Sequence, residues 1–600
     1  MFNLSKYGDS VKLLTSLSSL ALASLVLLPM NVEAKKSKTK KIEKPFVVGT
    51  PPSDAGRGLV RISKKEIRHY SGDRNKKNYL VSKDNGKTWD ESDGNEDYPI
   101  SYGGIRKESP AIVQNPLTKE FIRVQPIRGF IFISKGGIDG KWGVVTKSGE
   151  LDFSWKETLK KDPKGANYKR LSGIMRTPTF VNKGKVLLIP NHGGSTSFHR
   201  SVDGGLTWSK SKGYVSSPRH KPNKIDKGYR WQNGGVEGSL VELSNGKLWC
   251  VVRTSQNQHY ESFSSDYGKT WTKAVPSRFF GQLTMITLLK LKDGRILSSW
   301  TNTQALPENV TATGRGEDAF TNRDSHHFAI SEDDGKTWIG FREIILDEIR
   351  NHEQYATLHG SEDRGKHQSE LIQLSKNKVL VSLGQHHEHR RLMIVDLRYL
   401  YEKKRKSSFE NGLEDWTVHT FVPQRRGHCA YNRKQSSFIK KGKGLQIRRV
   451  NDPSLADAKK KVDYQRGGAT WNFPNGKQGE ITFKFTLDKD NQGTQISLTD
   501  RLFNACDTVT QKLAIYTLNL KLGQRLGSVK LKAGKKYKLT LKWNGVERSS
   551  KCSVFLDGKK VDTLKAVNES PNGLSYIHFI STAESEDQGF YLKSVKASVK

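Results

Sequence analysis

The octapeptide Ser264-Ser265-Asp266-Tyr267-Gly268-Lys269-Thr270-Trp271 decides the fold, because its pattern Ser-x-Asp-x-Gly-x-Thr-Trp occurs four times in the chain. In each copy we expect the aspartate to cap a tight turn and the glycine to adopt a positive φ. The tryptophan is expected to pack back between neighbouring sheets. A motif that recurs in this way indicates a repeat architecture. The four copies lie at 82–89, 201–208, 264–271 and 331–338.

The spacing of these turns gives the number of repeats. The aspartates of the last three copies lie 63 and 67 residues apart, whereas those of the first two lie 119 apart, close to two periods. A degenerate copy at 134–142 fills that gap, and a final unit ends near residue 397. Each unit contains short alternating or apolar strands. We therefore predict an all-β chain with a six-bladed propeller over residues 45–400, each blade having four antiparallel strands.

Composition places the chain among large, basic, exported proteins. It has 600 residues, 34% of them hydrophobic, and a formal net charge of +40, which excludes a single small domain and intrinsic disorder. The apolar stretch near 13–30 follows Lys6 and Lys12 and precedes a small-residue sequence at 32–34, so residues 1–34 read as a signal peptide. An uncleaved anchor is the alternative, although serine and threonine interrupt the stretch. We expect a secreted or periplasmic protein without membrane insertion after cleavage.

The net charge also limits the partners. An exported protein of this charge is suited to an acidic glycan or polysaccharide, and we expect no nucleic-acid partner. Four cysteines are too few for a disulfide scaffold, and one bridge among Cys429, Cys506 and Cys552 stays open, while Cys250 lies in an apolar strand and is expected to be buried. The sequence indicates no oligomeric state.

A second domain follows the propeller. Residues 401–407 read as a basic linker, and 408–600 contain alternating strands, as at 481–487 and 537–543, which predict a β-sandwich. Residues 403–600 carry a net charge of about +20, half of the total. A polyanion-binding surface and a merely solvated lysine-rich surface both fit this composition.

The repeated turns resemble the Asp boxes, or BNR repeats, of the sialidase superfamily. That resemblance covers 45–400 and implies a six-bladed propeller with these turns on the rim away from the active site. The opening at 408–416 and the Phe-Leu-Asp-Gly-Lys hairpin at 555–559 resemble concanavalin-like and laminin-G-like jelly rolls. Asp boxes are specific for an architecture but not for an activity.

One hairpin extends the resemblance to residues that would belong to an active site. Residues 236–253 are similar to the sialidase strand pair whose leading glutamate enters the active site and whose trailing arginine joins a cluster that grips a substrate carboxylate. These residues are Glu237 and Arg253, and one hairpin returns them to the same end of a blade. An ordinary ion pair is the simpler interpretation without the resemblance. Further arginines for an anion clamp are Arg57, Arg176, in an Arg-x-Pro-like context of the third blade, and Arg315 or Arg323.

The last blade departs from the family pattern. The resemblance implies a tyrosine nucleophile before its inner strand, but His367 and Gln368 occupy that stretch, and Tyr355 upstream aligns poorly. Histidines are concentrated nearby and are candidates for proton transfer. No cofactor and no metal are expected. We therefore predict catalytic roles for Glu237, Asp73, His367 and His386, with further histidine candidates at His326 and His327, and substrate contacts for Arg57, Arg176, Arg253, Arg323, His192 and Gln368.

Together these features predict a sialidase-like exo-glycosidase that releases terminal acidic sugars from glycans or polysaccharides. The missing tyrosine favours a sugar other than sialic acid, or an inverting route with water as the attacking group. Two other classes stay open. One is a lyase in which a neutral histidine removes the proton next to a uronate carboxylate, and the other is a non-catalytic glycan-binding protein.

Overall fold

The structure is a computed structural model of the chain, and it describes residues 42–600 with gaps. The gaps are 53–56, 72–78, 95–108, 128–129, 225–229, 231–232, 282, 305–322, 349, 351–364, 386–388, 419–420, 424–428, 432–435, 452–455, 458–461, 464 and 509. The predicted signal peptide at 1–34 lies outside the described residues, as do Asp73, Arg315, Tyr355 and His386. In the described part of the chain, no helix is long and apolar enough to cross a membrane.

Six antiparallel sheets follow one another between residues 59 and 396, which confirms the predicted six-bladed propeller. Blade one contains Leu59–Arg61, Ile67–Tyr70, Tyr79–Ser82 and Asp90–Ser92, and blade two contains Ala111–Gln114, Phe121–Ile127, Phe130–Gly136, Trp142–Val145, Leu151–Asp152 and Arg170–Leu171. Blade three contains Ile174–Met175, Thr179–Val181, Val186–His192, Thr196–Ser201 and Ser209–Lys210, and blade four contains Val236–Glu242, Leu248–Arg253, Gln258–Ser264 and Val275–Phe280. Blade five contains Thr287–Lys290, Ile296–Trp300, Ser325–Ser331 and Ile339–Leu346, and blade six contains Glu370–Ser375, Lys378–Leu383 and Arg391–Asp396.

The ring is closed by a strand from the other end of the propeller sequence. Phe46–Gly49 pairs antiparallel with Arg391–Asp396 and so becomes the outer strand of blade six. The sequence did not indicate this closure. The inner strands of the blades surround a central channel, because each blade presents its first strand to the ring axis. A short helix, Trp155–Lys161, lies within the blade-two region, and a 3-10 helix, Leu397–Tyr401, follows blade six.

The Asp-box turns have the predicted geometry. In the third copy, Asp266 accepts hydrogen bonds from the Thr270 backbone N–H at 2.9 Å and from the Thr270 hydroxyl at 2.6 Å. Gly268 has a φ of +83° and donates its N–H to the Ser264 hydroxyl at 2.9 Å. Trp271 stacks on Phe198 of the preceding blade, with ring centroids 4.3 Å apart. These turns therefore pack each blade against its neighbour, as predicted.

The second region is the predicted β-sandwich, with two large sheets. Aromatic residues of both sheets share one core, in which Phe483 packs edge-on against Phe579 at 5.3 Å. The larger sheet contains Lys404–Ser407, Ser437–Lys440, Gly444–Ile447, Gln478–Leu487, Tyr537–Asn544, Lys551–Leu556, Lys559–Lys565 and Phe590–Val599. The smaller contains Trp416–Thr417, Gly468–Gly476, Thr494–Thr499, Tyr516–Leu520 and Leu574–Ser581. Minor elements are the strands Phe421–Pro423, Cys429–Tyr431, Ala456–Asp457, Val462–Asp463, Arg525–Leu526 and Val529–Lys530, and the 3-10 helix Thr510–Leu513.

Part of the predicted basic linker is folded. Lys404–Ser407 pairs antiparallel with Phe590–Val599, so this stretch is an edge strand of the sandwich. The predicted domain boundaries themselves stay predictions. Cys250 and Cys552 are buried free thiols, and Cys506 is also buried.

The propeller and the sandwich meet through blade five. Thr303 forms a parallel bridge with Leu502, and the smaller sheet packs on the outer strand of the blade. At the centre of this boundary, the hydroxyl of Tyr576 donates to Glu343 at 2.8 Å and accepts from His327 Nε2. His327 Nδ1 in turn accepts the N–H of Asn302 at 3.1 Å. Both ring nitrogens of this predicted catalytic candidate are therefore used in holding the two parts together.

Candidate functional site

Glu237, the second residue of the inner strand of blade four, has an unusual backbone conformation. Its φ is +53°, and the pairing of its strand with Leu248–Arg253 is interrupted by a bulge between Val236 and Ser239. A positive φ is costly for a residue with a side chain, and such strain is concentrated at functional sites. Bulges are similarly over-represented next to active sites, because they redirect a side chain.

The redirected carboxylate of Glu237 lies between two arginines. Arg253 donates from Nη1 to Oε2 at 2.9 Å, and Arg176 binds Oε1 through Nη2. All three residues are buried, each at 7% exposure. Burial by itself raises the pKa of Glu237, but the charges of Arg176 and Arg253 outweigh it and hold this pKa well below its usual range. The predicted return of Arg253 to Glu237 through one hairpin is thus seen in the structure.

His192 adjoins this triad at the end of the strand Val186–His192 in blade three. Its Nδ1 accepts the backbone N–H of Glu237 at 3.3 Å, so the proton of the neutral ring is on Nε2. Burial lowers the pKa of His192 to about 4; the charge of Glu237 opposes this shift, and the charges of Arg176, Arg253 and Arg57 add to it. His192 is therefore neutral at pH 7.

A second buried carboxyl, Glu370, lies at the start of the inner strand of blade six. Its Oε2 accepts the N–H of Leu59 in blade one at 3.2 Å. Burial raises the pKa of Glu370 to about 8, against the opposing effects of that N–H, Arg57 and Arg176. Glu370 is therefore protonated at neutral pH. We did not predict this residue from the sequence, where the only signal was a carboxyl at the start of an inner strand.

Arg57 completes a positive group around the same end of the channel. It immediately precedes the first blade, and its charge lowers the pKa values of Arg176, His192 and Glu370. With Glu370 protonated and Glu237 ionised, three guanidiniums face one carboxylate. The resulting net charge attracts an anion.

His367 and Arg323 form another pair, between blades five and six. Arg323 donates from Nη1 to His367 Nε2 at 3.1 Å and from Nη2 to the carbonyl of Leu283 at 2.7 Å. An arginine only donates, so Nε2 of His367 is already used as an acceptor. Gln368, the next residue, has a φ of +61°. His326 lies in blade five, with Nδ1 donating to the carbonyl of Lys366 at 2.6 Å and Nε2 bonded to Ser299 at 2.6 Å, which is a structural role.

The site adjoins the central channel, a cavity of about 820 Å³ whose lining includes Arg176 and Glu370. Inner strands of all six blades line the channel, and in blade four the lining begins at Gly238, the residue after Glu237. A polar pocket of about 560 Å³ lies beside it around Asn191, the neighbour of His192. The described residues include no group of three or more His, Cys, Asp or Glu side chains placed to hold a metal ion. In blade four the Asp box follows the strand Gln258–Ser264, and antiparallel order places it at the opposite end from Glu237 and Arg253.

The fold is a six-bladed β-propeller with repeated Asp-box turns, and residues 130–365 match the family model described as a BNR repeat-like domain. That match confirms the recognition made from the Asp boxes.

Among solved structures, the chain is similar to a Trypanosoma rangeli sialidase in complex with 2,3-difluorosialic acid, with 14% identity over 91% of each chain and a TM-score of 0.32. It is also similar to a Dyadobacter fermentans protein of unknown function, with 17% identity over 59% of this chain and 97% of that chain and a TM-score of 0.35. A third is the NanB sialidase of Streptococcus pneumoniae, with 14% identity over 60% of this chain and 71% of that chain and a TM-score of 0.33. A search among curated proteins found no match.

Proposed function

We propose that the protein is a secreted, sialidase-like exo-glycosidase that removes a terminal acidic sugar from glycans or polysaccharides. The observation that carries the proposal is the buried Arg176–Glu237–Arg253 triad at the start of the channel's inner strands. Glu237 holds the two guanidiniums on either side of its carboxylate. Guanidiniums bind carboxylate or sulfate in a forked geometry that lysine does not reproduce. Together with Arg57, they form a site for the anionic group of the sugar.

The two buried glutamates have complementary protonation states. Glu370 carries a proton at neutral pH and is suited to donate it to the oxygen of the leaving group. Glu237 stays ionised, and its charge lies where an oxocarbenium-like transition state develops positive charge. Pairs of carboxyls whose pKa values are pushed apart are typical of acid catalysis and charge stabilisation in one site. This assignment gives Glu370 the proton-transfer role that the sequence suggested for Asp73 or a histidine.

Hydrolysis fits the site better than elimination. A lyase needs a neutral histidine with a free ring nitrogen to remove a proton, but Nδ1 of His192 accepts the N–H of Glu237 and Nε2 carries the proton. His367 Nε2 likewise accepts from Arg323. With His367 and Gln368 where the resemblance implies a tyrosine, we propose that water attacks the anomeric carbon as the bond to the leaving oxygen breaks. Glu370 gives its proton to that oxygen, the attacking water loses a proton to solvent, and solvent reprotonates Glu370. The acidic group of the sugar need not be that of sialic acid.

The test offers sialylated, sulfated and uronate-terminated oligosaccharides to the purified protein, and measures released reducing sugar and ultraviolet absorption together. We expect sugar release without an unsaturated product. Glu237→Gln and Glu370→Gln are each expected to lower kcat by about 10²–10⁴-fold, the usual size of a proton-transfer or charge-stabilisation effect. Glu91→Gln, the same change at an exposed strand position, is the control and should keep full activity.

Three results contradict the proposal. An ultraviolet-absorbing product indicates a lyase, and tight binding of acidic glycans without any turnover indicates a binding protein. Full activity of Glu237→Gln, measured per folded molecule, shows that the Arg176–Glu237–Arg253 triad has no part in catalysis. Export is tested separately by sequencing the N-terminus of the mature chain, which we expect to begin at Lys35; a chain that keeps residues 1–34 contradicts it.

A further inference from the structure

The face of the larger sandwich sheet that points away from the sandwich core carries lysines directly opposite one another on adjacent strands. Three such pairs occur in its antiparallel register. One of these pairs lies at a cleft of about 1050 Å³ whose lining also includes Glu402, Asp415 and Glu480. All of these side chains are exposed, and none forms an ion pair with a described residue. The alternation of the strands places all three pairs on one face, together with Thr482 and Thr540, which are hydrogen-bonded to each other at 2.8 Å. The pairs are Lys406 with Lys596, Lys484 with Lys538, and Lys551 with Lys565.

This arrangement opposes the stability of the sheet. Side chains at directly opposed positions have Cβ atoms about 5 Å apart, and like charges there are destabilising. The same face shows the favourable alternative once, because Glu480 lies opposite Lys542. A sheet that serves only as a scaffold gains nothing from three opposed lysine pairs. An external anion that lies across them removes the repulsion.

We propose that this lysine-paired face binds an acidic polysaccharide, a chain bearing sulfate or carboxylate groups. The lysine ammonium is a compact point charge, so a row of lysines attracts any chain of closely spaced negative charges. Paired arginines instead bind one carboxylate or sulfate in a defined geometry. A face made of eight strands is too broad to enter the groove of a nucleic-acid duplex, where bases are recognised, but a glycan chain one sugar wide can lie across it. The face is therefore a second glycan site, which holds the polymer and is independent of the chemistry in the channel.

The experiment compares two variants that lose the same charge. The first replaces one member of each pair, Lys484→Thr, Lys551→Thr and Lys596→Thr. The control carries Lys489→Thr, Lys512→Thr and Lys521→Thr, exposed lysines of the same domain outside these pairs. Binding of the full-length protein to dextran sulfate and to neutral dextran is measured by titration at two salt concentrations, and thermal unfolding is measured without polymer.

We expect the first variant to bind dextran sulfate roughly 100-fold more weakly, because each lysine near a polyanionic surface contributes about a factor of five. The control should lose far less, neutral dextran should not bind, and the wild-type affinity should fall with salt. The first variant should unfold at the same temperature as the wild type or higher, since the repulsion is gone. Lys484→Glu alone, which creates a complementary pair with Lys538, should also bind more weakly and unfold at a higher temperature.

Several outcomes overturn the proposal. Equal losses of affinity in the two triple variants indicate that binding depends only on the net charge of the protein. Unchanged affinity in the first variant excludes this face as the binding site. A lower unfolding temperature for Lys484→Glu shows that the pairs are not repulsive. Binding of duplex DNA more tightly than dextran sulfate at the same salt concentration identifies a different class of partner. None of these readouts depends on catalytic turnover, so their failure is distinguishable from failure of the proposed glycosidase activity.

Discussion

Glu237 in the channel site and Glu343 at the propeller–sandwich boundary are both buried glutamates, yet their pKa values are shifted in opposite directions. Two guanidiniums touch the carboxylate of Glu237 and hold its pKa low. Burial raises the pKa of Glu343 to about 7, because the charges of Arg405 and Arg350 only partly compensate. The comparison shows that burial raises the pKa of a carboxyl unless a cation contacts it directly. Glu237 therefore stays ionised in the channel site, whereas Glu343 accepts a hydrogen bond at the boundary.

The largest expected effect on stability comes from removing the negative charge of Glu237 in the channel site. Glu237→Gln leaves Arg176 and Arg253 buried beside a neutral amide, so the free energy of unfolding at pH 7 should fall by about 3–5 kcal/mol. Denaturant unfolding measures this, with Glu91→Gln as the matched control on an exposed strand. A change below about 1 kcal/mol contradicts the view that a direct ion pair dominates here.

A smaller loss is expected at the boundary. Tyr576→Phe removes the hydroxyl that donates to Glu343 and accepts from His327, which leaves two buried polar groups without that partner. The free energy of unfolding should fall by about 2–3 kcal/mol. Tyr214→Phe, at a tyrosine that is 59% exposed, should have no measurable effect. Equal effects of the two changes would show that the boundary network contributes nothing specific.

The last prediction concerns Glu343 and is a gain of stability rather than a loss. Its size depends on pH. The pKa of Glu343 rises from 4.5 to about 7 on folding, so the folded protein holds this proton more tightly than the unfolded chain. The free energy of unfolding therefore falls as pH rises from about 4.5 to 7, and that loss is complete above pH 7. Glu343→Gln keeps an acceptor for Tyr576 and removes the titration. Compared with the wild type, this variant should gain about 2–2.5 kcal/mol between pH 5 and pH 8.

Chemical denaturation at the two pH values measures this difference. Glu91→Gln again serves as the control and should show no gain. A Glu343→Gln variant whose difference from the wild type stays constant between the two pH values contradicts a raised pKa at the boundary.

The repeat architecture was predictable because each Asp box is a local signal. The bonds of Asp266 are made within its own turn, so the sequence shows them directly. The Glu237–Arg253 contact was predictable for the same reason, because a single hairpin joins the two residues. In both cases the spacing along the chain determines the contact in space.

Contacts between distant parts of the chain were not predictable. Glu370 acquires its environment from Leu59 and Arg57 across the closure of the ring. His327 was considered for catalysis, but its partner Tyr576 belongs to the sandwich. No local pattern in the sequence distinguishes these residues from ordinary polar strand positions. The roles of the predicted site residues stay predictions until the variants are measured.

The strand Phe46–Gly49 joins the beginning of the described chain to the last blade, and this has a consequence for biosynthesis. Residues 46–49 emerge from the ribosome long before residues 391–396 are synthesised. The ring therefore stays open through most of translation. Until blade six emerges, the edge strands of the unfinished propeller are exposed to other chains. A nascent molecule is therefore most vulnerable to misassembly just before its final blade meets its first strand.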